Sequence, residues 1–407
     1  MNPHDVAIIH SPMSKGDTGG FCGETEEFRY FDVDLQMRQI IINADDFGAD
    51  VYRNQGIAEA VDAGVVTSVS VLVNGPAFDD ALARLPVWQG RGVSVGLHVN
   101  LSEGDPVCKE LAVLPDEHGC FRGKSSTHKL LMQVGNQELE REVALEIEAQ
   151  IELLESTGVR ISHLDGHQHV HIFPAAIAAA VQAAQRHGIA WLRIPEEPAT
   201  IPSALRKEEF PGAGKLRCDE LARGRILSFR ETPSPSRGGL GWGWVLFNYC
   251  RFLPHPPPDL PLEGGGNKLH FASSSRRNSM VKRRSRYKVQ QTMLLRREAA
   301  MFSLLAAAAR PILNGSGVRT TDHFRGLYLK GRLSLPLLEE LLNDLPAGLT
   351  ELMVHPGRAP AGPSQGPFAA FSTVDREGEL YVLLDSKLLN ILKEKTVSLT
   401  PFPEARA

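Results

Sequence analysis

From Arg38 onward the apolar and polar positions fall into two alternating rhythms. "RQIIINADD" (38–46) is a short apolar run closing on polar residues, the pattern of a buried strand. "NQGIAEAVDAG" (54–64) carries apolar residues at helical spacing and ends on a glycine suited to a helix C-terminus. "VTSVSVLVN" then predicts a strand, "FDDALARL" a helix and "GVSVGLHVNL" a strand. "QELEREVALEIEAQIELLESTG" predicts a long amphipathic helix, "VRISHLDG" a strand, "PAAIAAAVQAAQRHG" a helix with proline in its first turn, and "AWLRIP" a strand. Further on, "QQTMLLRREAAMFSLLAAAARPIL" and "LSLPLLEELLNDL" read as helices and "LTELMVHPG" as a strand. "DSKLLNILKEK" reads as a helix opened by an aspartate cap, and "VSLT" as a last strand. Strands alternating with helices imply βα units and a parallel sheet. About seven such units in one chain predict an α/β fold with a distorted TIM-like (β/α) barrel, with a doubly wound open sheet as the alternative. No G-x-G-x-x-G follows a strand, so dinucleotide binding has no support.

Two segments break the rhythm. Residues 1–36 show no period and lack the basic start and long apolar centre of a signal peptide, so they are expected to be a poorly ordered extension, or the product of an upstream start. Residues 229–288 are rich in Pro, Gly and Ser and predict a disordered insertion in a single catalytic domain formed by 37–228 and 289–400. Composition adds little. Of the 407 residues 42% are hydrophobic and 23% charged, ordinary for a globular chain, and the net charge of −4 offers no electrostatic case for nucleic acid. Five scattered cysteines without a C-x-x-C pair fit reduced thiols and a cytoplasmic location. No apolar run reaches the roughly 18 residues that span a bilayer. The basic run "RRNSMVKRRSRYK" inside the insertion suits anionic headgroups, which would bring the protein to the inner face of the membrane, although a solvated loop is the plainer reading. A homodimer is an option that nothing in the pattern decides.

Chemistry concentrates at strand ends. "HLDGHQHVH" places His163, His167, His169 and His171 around Asp165, in a chain with 14 histidines in all. Burying several imidazoles and a carboxylate together is costly without a shared ligand or network. In an extended segment residues 163, 165, 167 and 169 would share one face, unless Gly166 bends the chain. "INADDFG" ends a strand with Asp45 and Asp46, and "VGLHVNL" carries His98 at the end of another. Each motif alone is weak, since Asp-Asp also caps helices. Together they supply Asp, His and His, a set that suits a divalent cation with a position left for water. A fourth strand end, "ELMVHPG", offers His355. Adjacent aspartates point in different directions, so one can bind a cation while the other acts as a base.

These three motifs, in this order and spacing, resemble the YdjC-like carbohydrate deacetylases, and the resemblance runs from Arg38 to Leu399 outside the insertion. "RIPEE", "TTDHFRGLYLKG" and "GPFAAFSTVDREGELYVLL" look most like the hopanoid-biosynthesis-associated branch. The resemblance implies a distorted barrel that hydrolyses N-acetyl groups of amino sugars, with Asp46, His98 and His167 as metal ligands, Asp45 as general base and His355 as general acid. The branch implies a glucosamine-bearing lipid, so the expected partner is an acetylated amino sugar or glycolipid. Asp165, His169 and His171 are candidates for orienting a ligand imidazole. Arg193 is a candidate to bind sugar or pin Asp45, and Arg325 to contact substrate, with a structural ion pair the plain reading for both. Two imidazoles favour Zn²⁺, and the resemblance also allows Mg²⁺. Two other readings stay open: a metal-dependent phosphoesterase, for which no Gly-rich phosphate loop or arginine cluster accompanies the motifs, and a catalytically dead sugar-binding protein.

Overall fold

The computed structural model describes residues 37–198, 295–362, 366–369 and 375–404. The expectations for residues 1–36 and 229–288 therefore lie outside the described residues. Within them, eight parallel strands form one curled sheet: β1 (Arg38–Phe47), β2 (Ser68–Val71), β3 (Ser94–Val99), β4 (His163–Gly166), β5 (Trp191–Leu192), β6 (His323–Arg325), β7 (Gly348–Val354) and β8 (Val397–Leu399). The order is β5-β4-β3-β2-β1-β7-β6, with β8 paired to the first three residues of β1. At the β5 edge, Leu192 N donates to Arg319 O (2.8 Å) and Arg319 N to Ala190 O (2.9 Å). The fold is thus α/β with a curled parallel sheet, as a TIM-like barrel requires.

Ten helices among the described residues connect the strands: α1 (Val51–Asp62), α2 (Phe78–Leu82), α3 (Leu85–Gly90), α4 (Lys124–Leu131), α5 (Gln137–Ser156), α6 (Ile177–Arg186), α7 (295–313), α8 (Leu335–Asn343), α9 (Asp375–Leu383) and α10 (Lys387–Glu394). α1 starts where the Asp50 side chain accepts from the Tyr52 and Arg53 amides, and stops at Gly64, whose φ of 74° and bond to Val61 O turn the chain. The single helix expected at "FDDALARL" is instead a pair, α2 and α3, because Pro86 begins a new helical turn. Pro174 likewise sits upstream of the α6 cap, Ala176, rather than in the first turn.

The strand faces explain where the site lies. In β1, Ile40, Ile42 and Ala44 enter the large core shared with the helices, whereas Ile41 packs with Trp191, Leu349 and Phe402 on the other face. Asn43 and Asp45 follow Ile41 on that second face, since alternate residues of a strand share a side. Both are buried, so the concave side of the sheet turns polar toward the C-terminal strand ends. α5 shows how loops are fixed outside it. Leu139, Val143, Ile147, Ile151 and Leu154 bury one stripe, each contributing about 1.5–3 kcal/mol. The neighbouring stripe, Glu142, Glu146 and Gln150, is buried too. Glu142 accepts the amides of Ala112, Val113 and Leu114, Glu146 those of Val107 and Cys108, and Gln150 that of Asn100. No helix among the described residues is long and apolar enough to cross a membrane.

Candidate active site

The strand ends of β1, β3, β4 and β7 bring Asp45, Asp46, His98, His167 and His355 around one pocket. β1 breaks register between Ala44 and Phe47, and Asp46 takes a φ of 69°, so the two adjacent carboxylates face different partners. Asp46 Oδ1 lies 2.8 Å from His167 Nδ1 and 3.4 Å from His98 Nε2. The expected alternation along "HLDGHQHVH" ends at Gly166. His163 and Asp165 belong to β4, but His167–Ile172 is a 3-10 segment in which Gln168 and His169 adopt φ of 53° and 58°. A Cβ on Gly166 would lie 2.6 Å from His171 Nδ1, so the turn requires glycine.

The histidines therefore part company. His167 turns to Asp46. His169 lines the pocket, with its ring 4.6 Å from that of Phe302, and touches neither Asp46 nor His98 in any hydrogen bond among the described residues. His171 Nε2 lies 2.8 Å from Arg193 O, and His163 stacks on Phe402 at 4.1 Å. Both rings thus meet the scaffold, and a role for His171 in orienting a ligand imidazole stays a proposal. Asp165 instead meets His98 directly: its Oδ1 accepts from His98 Nδ1 at 2.7 Å, and its Oδ2 accepts from Ser70 Oγ, also at 2.7 Å. Arg325 stands apart, with Nη1 donating to Phe324 O, and is not among the described residues lining the pocket.

Arg193 is the hub on the other side. Its Nη1 and Nη2 donate to the two oxygens of Asp45 (2.7 and 2.8 Å), Nη2 also pairs with Asp165 Oδ2 (2.8 Å), and Nε donates to Glu351 Oε1 (2.7 Å). Asn43 Nδ2 adds a 2.8 Å bond to Asp45 Oδ1. Asp45 Oδ2 keeps a second lone pair toward the pocket, 3.9 Å from His355 Nε2 and 4.0 Å from His98 Nε2. Burial opposes charge on His98, but the carboxylates of Asp165 and Asp45 outweigh it and raise its pKa to about 10. Burial would raise Asp46, yet His167 and Arg376 hold it well below the ordinary carboxyl value. His355 is pushed well below the usual imidazole range by burial, then by Arg376 and Lys330, so it is neutral at pH 7. The pocket continues along Leu295, Glu298, Ala299 and Phe302 of α7, then Leu327, Lys330 and Met353. Glu298 pairs with Lys124.

Sequence reasoning missed Arg53, Arg376, Glu351, Glu298 and Lys330. No spacing signal marks them, because each reaches the site from a different element. The arginine cluster judged absent does exist among buried residues: Arg53, Arg193 and Arg376 all pair with site carboxylates, an arrangement that serves the carboxylates and adds nothing to the phosphoester reading.

Asp46, His98 and His167 each offer one donor atom, and these atoms all lie within 4.8 Å of one another. Metal–ligand bonds of about 2.0–2.2 Å put neighbouring donors about 2.8–3.6 Å apart, and the 2.8 and 3.4 Å separations from Asp46 Oδ1 meet that test. The Asp165 bond to His98 Nδ1 leaves Nε2 as the donor, a carboxylate–histidine arrangement common at metal sites. The donor set fits a divalent cation.

Comparison with known proteins gives a consistent picture. The profile of the YdjC-like protein family matches residues 39–394. Proteins named carbohydrate deacetylase are similar in sequence. That of Xenopus laevis is 39% identical over 163 residues, 39% of this chain and 51% of that protein. That of Mus musculus is 40% identical over 210 residues, 50% of this chain and 63% of that protein. That of Brevibacillus brevis is 34% identical over 176 residues, 42% of this chain and 67% of that protein. The matches thus span about half to two thirds of these relatives' length. Among solved structures, an Enterococcus faecalis V583 protein provisionally named for cellobiose-phosphate cleavage superposes with a TM-score of 0.53 at 18% identity, over 90% of this chain and 98% of that one, a likeness of fold.

Proposed function

Since this chain belongs to the YdjC-like protein family, we propose that it is a metal-dependent carbohydrate deacetylase that hydrolyses the N-acetyl group of an amino sugar. One observation carries the reading: a two-histidine, one-aspartate donor set lies beside a second carboxylate, Asp45, whose Oδ2 faces both His98 and His355. The curled sheet, read as a distorted barrel, presents this set at its C-terminal mouth, and the hydrogen bonds between residues 190–192 and Arg319 support closure.

When bound, the divalent cation, Zn²⁺ or Mg²⁺, supplies Lewis acidity toward the amide carbonyl and toward water. Asp46, His98 and His167 would hold it, and the Asp165 bond to Nδ1 would keep His98 in the tautomer with Nε2 as donor. Asp45 takes a proton from the attacking water at Oδ2. Arg193 fixes the orientation of that carboxylate while one lone pair stays open. The leaving amine needs a proton, since an amide anion is not expelled. His355 is neutral at rest, so the proton it delivers is one it first receives in the site, and Asp45 Oδ2 at 3.9 Å is the near source. Leu295, Ala299, Phe302, Leu327 and Met353 offer an apolar flank for the acetyl methyl, and Glu298 and Lys330 offer partners for sugar hydroxyls.

The finer substrate reading is a glucosamine-bearing hopanoid lipid. It rests on the "RIPEE", "TTDHFRGLYLKG" and C-terminal motifs, and with it goes contact of the basic run near Lys282 with the membrane face. The test is acetate release from acetylated chitooligosaccharides and from an acetylated glucosaminyl lipid in vesicles, each with and without chelator. Chelator-sensitive release from either supports the deacetylase, and preference for the vesicle supports the lipid. Phosphate release from sugar phosphates without acetate release would replace this reading by the phosphoesterase.

A further inference from the structure

The two oxygens of Asp46 are used differently. Oδ1 faces the imidazoles of His167 and His98. Oδ2 faces two guanidinium groups, Arg376 Nη2 at 2.9 Å and Arg53 Nη1 at 3.4 Å. The arginines come from separate helices, Arg53 from the first turn of α1 and Arg376 from the start of α9. Both are buried, at 1% and 6% exposure, so neither guanidinium is there by the chance of a surface contact. Arg53 is itself clamped, with Nε 3.1 Å from Asp50 Oδ2 and Nη2 donating to Phe368 O at 2.8 Å.

The backbone is arranged to let both arrive. A Cβ on Gly56 would lie 2.5 Å from Gly357 Cα, so α1 and the chain after β7 touch through two glycines. A Cβ on Gly357 would lie 3.4 Å from both Arg53 Cα and Arg376 Cβ, and Gly357 N donates to Arg376 O at 3.2 Å. One guanidinium would neutralise one carboxylate. Arg53 already has a counter-ion in Asp50, so its further contact with Asp46 Oδ2 is not needed to balance its charge and points to a task beyond neutralisation.

We propose that Arg53 and Arg376 are positioning residues that occupy Asp46 Oδ2 and so reserve Oδ1 as a single-oxygen ligand for the cation. The inference rests on the reading that Asp46, His98 and His167 hold that cation. Hydrogen bonds to the outer oxygen stop the carboxylate from rotating into a two-oxygen mode. Asp45, by contrast, has both oxygens engaged by Arg193, so the adjacent carboxylates are tethered for different tasks.

The experiment is a Zn²⁺ titration of the cation-stripped full chain against a chromophoric chelator, with wild type, His98→Ala, Arg376→Gln, Arg376→Lys and Arg53→Gln. Loss of an outer hydrogen-bond partner typically costs about 10–100-fold in metal affinity, the change expected for Arg376→Gln, with a smaller loss for Arg53→Gln, whose contact is longer. Arg376→Lys, which keeps the charge but not the planar fork, is expected between wild type and the glutamine variant. Adding methylguanidinium to Arg376→Ala should restore affinity, which a packing role would not predict. A folded Arg376→Gln that binds Zn²⁺ as tightly as wild type overturns the inference, and so does equal loss in the Lys and Gln variants without rescue. If Arg376→Gln does not fold, Arg376→Lys decides: measurable loss supports the tether and parity overturns it. If wild type binds no Zn²⁺, or His98→Ala binds it as tightly as wild type, the metal reading itself fails and the inference with it.

Discussion

Asp45 and Asp46 are neighbours in the chain and differ in almost every contact. Asp45→Asn should keep the cation and lose turnover by about 10²–10⁴-fold, whereas Asp46→Asn should lose both. Metal analysis beside acetate-release kinetics checks this, and equal metal loss in the two variants would merge the roles. Glu197 gives a stability prediction. Burial raises its pKa from 4.5 to about 7, although the Leu327 and Gly326 amides it accepts pull the other way. The folded chain therefore keeps a proton that the unfolded chain releases, so stability falls as pH rises between about 4.5 and 7. Burial also raises Glu351 to about 7, and it adds with the same sign. Glu197→Gln should flatten the decline in Tm between pH 5 and pH 8, by an amount worth up to about 3 kcal/mol. An unchanged slope would show that Glu197 ionises normally. At this scale the acids and histidines were legible because metal-binding residue types stood at strand ends. Arg53 was not, because an arginine in the first turn of a helix reads as solvated polar surface, and nothing in the spacing shows that Gly56 and Gly357 let it sink. The contacts of His171 were not legible, because a 3-10 turn rotates it off the face that β4 would have continued.

Elements with a strong period were legible to within a few residues: β1, β3, α5, α8 and β7. Those left unread are short. α4 has eight residues with mixed polarity, β6 has three, and α9 opens on "DREGELYVL", where charge obscures the apolar stripe. The long α5 shows what a periodicity argument omits. Its apolar stripe was plain, but Glu142 and Glu146 looked like the wet face, whereas five loop amides end on them. Glu142→Ala and Glu146→Ala should each destabilise the protein by about 1–3 kcal/mol, since they leave buried N–H groups without acceptors. Limited proteolysis should then cut between 107 and 114, and a cleavage pattern like that of wild type would show the loop to be held by other means. α7 was read correctly as a helix but not as a pocket wall, because nothing in its own period says which surface its first turns meet.

For the whole molecule, the main prediction is that residues 229–288 are dispensable for the chemistry. None of the candidate site residues falls within 229–288, so replacing that segment by a short Gly/Ser link should leave Zn²⁺ affinity and turnover of a small soluble sugar within about 3-fold, as long loops add little closure cost. Extending the deletion to residue 302 removes Leu295, Glu298, Ala299 and Phe302 from the pocket and should raise KM sharply while the cation stays bound. Loss of the cation from the shorter deletion would make the insertion part of the site. The α/β class and parallel sheet were legible in the alternation of elements. The central place of β1 was not, because register is a relation between distant segments. That place has a consequence in time. β1 pairs with β7 on one side and shares its other side between β2 and β8. At about 5–20 residues per second, a ribosome needs roughly 20–70 s to travel from β1 to β8. Until β8 is made the strand carrying Asp45 and Asp46 has an open edge, and His355 and Arg376 are themselves made only near the end of that interval. Ribosome-bound chains arrested before residue 348 hold Asp46, His98 and His167 yet should capture no Zn²⁺, whereas released full-length chains should. That outcome would mean that the ion enters a finished protein, and that the growing chain keeps its first strand from sticking to its neighbours without help from metal.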